Sequence, residues 1–109
     1  MAQTSTQSKV PASVNNVAVG AFLDTGTVAA TKITTGFKPR YVKIVNETSG
    51  DTEEWFEGMA DAEGYKRVAA GTGALITSNG ITPAADGFTI GLDTDILVTS
   101  EQLSWIAIG

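Results

Sequence analysis

The chain has 109 residues, 42% of them hydrophobic, with no cysteine, no histidine and a formal net charge of −5. This length supports one domain with one modest core, about 65% of the unfolded chain's surface being buried at such a size. The missing residue types exclude disulfide stapling and thiol chemistry and remove the usual general base and transition-metal ligand, while the acidic balance disfavours non-specific attraction to nucleic acid.

Residues 1–16, "MAQTSTQSKVPASVNN", carry no apolar period, and Pro11 blocks any helix, so they read as an extended, solvated N-terminal arm. No hydrophobic signal region is visible in them, which implies a protein made in the cytosol that leaves it, if at all, by lysis. From Val17 the texture is β, and residues 17–109 read as a single domain. "VAVGAFL" (17–23) is a short apolar run stopped by the turn "DTGT" (24–27). "VAATKITTGF" (28–37) is rich in threonine and β-branched residues. "RYVKIVN" (40–46) alternates, with Val42 and Ile44 on one face and Tyr41, Lys43 and Val45 on the other. A turn at "ETSGD" (47–51) leads into "TEEWFEG" (52–58).

"MADAEG" (59–64) has room for one helical turn between its bracketing glycines. "YKRVAA" (65–70) and "ALITS" (74–78) read as strands separated by "GTG", and "NGITPAADG" (79–87) as closely spaced turn punctuation. "FTIGL" (88–92) points Phe88, Ile90 and Leu92 inward. "ILVTS" (96–100) and "QLSWIAI" (102–108) complete the pattern. About eight strands at this spacing, with no long helix and no apolar run near the ~20 residues of a membrane span, define an all-β fold, a jelly-roll-like β-sandwich or a barrel.

Candidate chemistry is thin. Glu53, Glu54 and Glu57, or Asp51 with Asp61, could form a glycosidase-type carboxylate pair. The plainer reading is a solvated or docking face. Asp24, Asp93 and Asp95 could offer oxygens to calcium, but two or three ligands fall short of the six to eight it takes, and Asx turns account for them. The small glycine turns at 71–73 and 78–80 lack the Lys-Ser/Thr of a phosphate loop. The expectation is a non-enzyme without metal or cofactor. Basic Lys9, Lys32, Lys38, Arg40 and Lys43 precede the acidic run Glu47, Asp51, Glu53, Glu54, Glu57, Asp61 and Glu63. This dipolar arrangement suits docking to another protein's charges. Trp105 reads as core, whereas Trp55 and Phe56 cannot both point inward from one strand.

The stretches "GFKPRYVKIVN", "EWFEGM", "LITSNGI", "DGFTIG" and "SWIAIG", spanning Gly36–Gly109, resemble a lectin-like jelly-roll module of tailed-bacteriophage virion proteins. Free-standing chains of this kind are similar to capsid decoration (cement) proteins. That resemblance implies a structural role on the outside of an assembled head, with the major capsid protein and further copies of the chain, as a homotrimer, for partners. It implies location in the virion, on the capsid surface, after synthesis in the host cytoplasm, with no nucleic acid and no membrane bound. Docking would then use Lys9, Val10, Pro11 and Val14 of the arm, with Lys38, Arg40, Lys43, Glu54, Trp55, Glu57 and Tyr65 at subunit or capsid contacts. The alternative is a tail or fibre component, or a glycan-binding tip with exposed aromatics.

Overall fold

In a computed structural model, residues 16–109 are described, and they are all-β: eight antiparallel strands in one curled sheet, sandwich-like in cross-section. The strands are β1 (Val17–Leu23), β2 (Thr31–Thr34), β3 (Tyr41–Asn46), β4 (Thr52–Phe56), β5 (Glu63–Arg67), β6 (Gly73–Ala84), β7 (Gly87–Ile90) and β8 (Gln102–Ile108). Their order across the sheet is β1-β8-β3-β4-β5-β6-β7-β2. The run β3 to β7 is a plain meander, extended by β8 and then β1 beyond β3 and by β2 beyond β7.

The curl is made by β6. Its first half pairs with β5 and its second half with β7, and the register jumps so that Gly64 faces Ile76 while Glu63 faces Ile81. The residues between, Thr77–Gly80, form the corner. Asn79 takes a left-handed φ of 59°, which asparagine tolerates. Gly80 lies so close to the Glu63 carbonyl that no side chain would fit there. Here the structure corrects the sequence reading, in which residues 79–87 were a turn region. The Asn-Gly pair bends a continuous strand, and Pro83 sits where β5 has ended and its absent N–H leaves no ladder bond unmade.

Inward-facing positions build the core: Val42 and Ile44 of β3, Trp55 of β4, Ile81 of β6, Phe88 and Ile90 of β7, and Leu103 and Ala107 of β8. Ile96 and Leu97 close it from the loop between β7 and β8. The sequence reading made 96–100 a strand. Both of these consecutive side chains are buried, against the in–out alternation of a strand with one solvated face. Instead the N–H groups of Ile96 and Leu97 both donate to the carbonyl of Asp93, forming a tight turn. Leu92, expected inward, is exposed because β7 stops at Ile90. No helical turn forms at 59–64; Glu63 Oε1 instead accepts from the Ala60 amide at 2.7 Å. Trp105 is half-buried against the core, its ring edge-on to Phe88 at 5.4 Å and lying over Gly20 of β1.

Candidate docking face

The faces of β1, β8, β3, β4 and β5 turned away from the core form one continuous surface, and the cross-strand register assigns its rows. Val17, Ile108, Tyr41 and Phe56 make the first row. Val19, Ile106, Lys43, Glu54, Tyr65 and Leu75 of β6 make the second, and Ala21, Ser104, Val45, Thr52 and Arg67 the third. Val19 is 71% exposed and Leu75 70%, and Val17, Leu23, Phe56, Tyr65 and Ile108 are also open to solvent. Between β3 and β8 a shallow depression of ≈ 210 Å³ is lined by Lys43, Val45, Ser104, Trp105 and Ile106. The outer face of an antiparallel sheet ordinarily carries polar side chains. This one is largely apolar, the pattern of a contact surface.

Polar groups fix its shape. The Tyr41 hydroxyl donates to Glu54 Oε2 at 2.6 Å, and the ring packs tilted on Phe56 with centroids 5.0 Å apart. Burial, then the hydrogen bond and negative charge of Glu54, push the Tyr41 hydroxyl up to about 12. It therefore stays a neutral donor at any physiological pH. The Ser104 hydroxyl donates to Glu47 at 2.7 Å. Arg40, below the first row, lies 3.5 Å from Glu57.

Of the docking residues expected from sequence, Lys43, Glu54 and Tyr65 do share one row of this face. Arg40 and Glu57 pair at its margin, and Lys38 is exposed beyond the start of β3. Trp55 is a correction. It is 4% exposed on the opposite side of β4, with its indole N–H donating to the Ala60 carbonyl at 3.2 Å, so it cannot reach a partner. Phe56 occupies the outward position instead. Lys9, Val10, Pro11 and Val14 lie outside the described residues. Missed altogether were Val17, Val19, Ile106 and Ile108. Their signal was present, since "VAVGAFL" and "QLSWIAI" carry apolar residues at both parities.

The carboxylates considered for catalysis do not converge. Neighbours Glu53 and Glu54 point to opposite faces, as the strand period requires, and Asp51 is spent on the Ala69 amide at 2.7 Å. Glu53 instead enters the core. It is fully buried, with neither carboxylate oxygen hydrogen-bonded, directly across from Lys66 of β5. Burial, reinforced by the nearby Asp93 charge and opposed by Lys66, pushes its carboxyl up to about 8. The Lys66 ammonium is turned instead to Asp93 and Asp95, at 3.0 and 2.9 Å, and its pKa is raised chiefly by the Asp95 hydrogen bond. Lys66 thereby straps the core-closing loop to β5. Asp93 Oδ1 also accepts from the Asp95 amide, an Asx turn, and Asp24 does the same for Gly26. Among the described residues no cluster of acidic side chains has the geometry of a metal site.

No family model, no curated protein and no solved structure matches this chain. The functional reading therefore stands on the face itself and on the motifs that build it.

Proposed function

We propose that the chain is a structural assembly protein that docks through the outer face of β1-β8-β3-β4, and specifically a decoration protein on the head of a tailed phage. The observation that carries the reading is the exposed apolar surface on strands whose other side already packs on the core. Two of the motifs behind the resemblance, "GFKPRYVKIVN" and "SWIAIG", supply β3 and β8 at the centre of that surface. The face sets apolar side chains around the Lys43–Glu54 cross-strand pair, with Lys38 and the Arg40–Glu57 pair at its margin, a mixture that suits contact with a protein surface. The partner surface is that of the major capsid protein. Each copy bound only to the assembled shell stabilises it by mass action.

A glycan-binding fibre tip is the second reading, favoured by the exposed aromatics Tyr65 and Phe56 beside Tyr41. Cosedimentation of the purified chain with heads of the phage that encodes it separates the two. Saturable binding, weakened by Phe56→Ser and Ile106→Ser variants that keep the wild-type circular dichroism spectrum, is the expected result. Absence of binding to heads, with density for the chain on tail fibres in a virion map, refutes the capsid assignment.

A further inference from the structure

The two edges of the sheet differ. β2 is four residues long and carries Lys32, which is paired with Asp86 at 3.0 Å, a short and charged edge of the kind that resists further pairing. β1 is seven residues long, "VAVGAFL", without charge, proline or register irregularity. Among the described residues its only strand neighbour is β8.

Hydrogen-bond parity decides what its outer edge can accept. Gly109, one step beyond the Val17–Ile108 pair, donates its N–H to the carbonyl of Asn16 at 2.8 Å. In an antiparallel ladder bonded pairs recur at every second residue. Ala18, Gly20 and Phe22 therefore direct their backbone groups to β8, and Val17, Val19, Ala21 and Leu23 direct theirs outward. The central residue of the strand is Gly20. A second β1 laid antiparallel with Gly20 facing Gly20 puts Val17 opposite Leu23 and Val19 opposite Ala21. Every outward N–H and C=O then meets its complement, and the two apolar faces lie on the same side.

Gly20 fits the axis for a second reason. A side chain there would collide with the Trp105 ring, which covers the inner side of β1 at that point. Two copies paired in this register bring two half-buried indoles side by side across the axis. We infer that β1 is a two-fold self-association edge, joining two copies of this chain into one continuous sheet through the Val17–Leu23 and Val19–Ala21 pairs. This differs from the three-fold assembly that the resemblance implies, and it does not depend on the capsid assignment.

The area sets the strength. A strand of this length is about 24 Å long and a sheet about 10 Å deep. The edge therefore covers roughly 240 Å² per copy, well under the ~800 Å² of a standard interface. The pairing is accordingly concentration-dependent, strengthened where copies are held close together.

Sedimentation of the full chain from micromolar to millimolar concentration, combined with amide hydrogen exchange, tests this. Expected are a monomer–dimer equilibrium and rising protection of the Val17, Val19, Ala21 and Leu23 amides in step with dimer, with a change in Trp105 fluorescence. Val19→Pro removes an outward donor without breaking a bond to β8, and Val19→Lys places like charges beside the axis. Both keep the monomer's spectrum and weaken dimerisation by about tenfold or more. A chain that stays monomeric at millimolar concentration overturns the inference. So does a trimer, a dimer indifferent to both substitutions, or protection of these four amides independent of concentration, which would mean that residues 1–15 of the same chain cover the edge.

Discussion

Replacing Glu53 by glutamine should abolish a pH dependence of stability that the wild-type chain shows between about pH 4.5 and 8. In the unfolded chain this carboxyl ionises near its ordinary 4.5, whereas burial without a hydrogen-bond partner holds it protonated in the folded protein up to about 8. Between those values the folded state binds a proton that the unfolded state has released, so stability falls as pH rises through the window and levels off above it. At 1.36 kcal/mol per unit the shift sets a ceiling of about 4–5 kcal/mol on the loss. Local relaxation and water reaching the carboxyl bring the expected figure to about 2–3 kcal/mol, or roughly 10–20 °C in melting temperature for a domain of this size. No histidine titrates in the window, and the Tyr41 hydroxyl is moved further out of range. Urea titrations at pH 5 and pH 9 measure the difference. The wild type should lose stability between them while Glu53→Gln stays flat and becomes the more stable of the two at pH 9. A wild type as stable at pH 9 as at pH 5, or a glutamine variant with the same slope, would refute the reasoning.

Truncating Trp55 to alanine should cost about 3–5 kcal/mol, since it empties a core position and orphans the Ala60 carbonyl, with denaturant unfolding as the measure. Asn46→Ala should cost about 2–4 kcal/mol. Its amide nitrogen holds the Ile96 carbonyl and Glu101, and its side-chain oxygen accepts from the Thr48 and Ser49 amides. Hydrogen exchange in that variant should quicken at the 47–51 turn and in the loop carrying Ile96 before it does so elsewhere.

The all-β character and seven of the strand positions were legible because their cause is local. Alternation in "YVKIVN" and the Asn, Gly and Asp turn residues around 46–51 act over a few residues, and the structure uses them as read. The corner in β6 was not legible. Asn79-Gly80 and Pro83 are ordinary turn signals, and only the ending of β5 at Glu63 turns them into features of a continuous strand. The same holds for 96–100, where the Asp93 turn and the Lys66 strap, both long-range or loop-specific, override the β-branched run. Trp55 and Phe56 show a different limit: period two says that one must face out, but which one depends on where the core lies. The candidate docking face was half legible, through its charges and not through its larger apolar part. Glu53 was invisible as a core residue because nothing in "TEEWF" distinguishes a carboxylate that will be buried from its neighbour that will not.

The strand order has a consequence for how the molecule is made. The strands from β3 to β7 pair with their immediate successors, so each new hairpin closes only a short stretch of chain. β1 must wait for β8 (Gln102–Ile108), which follows all the other described strands in the chain, and β2 must wait for β7. The earliest of the described strands is thus among the last to be seated, and until then "VAVGAFL" is a sticky ribbon in search of a neighbour. Crowded expression should therefore favour strand exchange between nascent copies over clean closure.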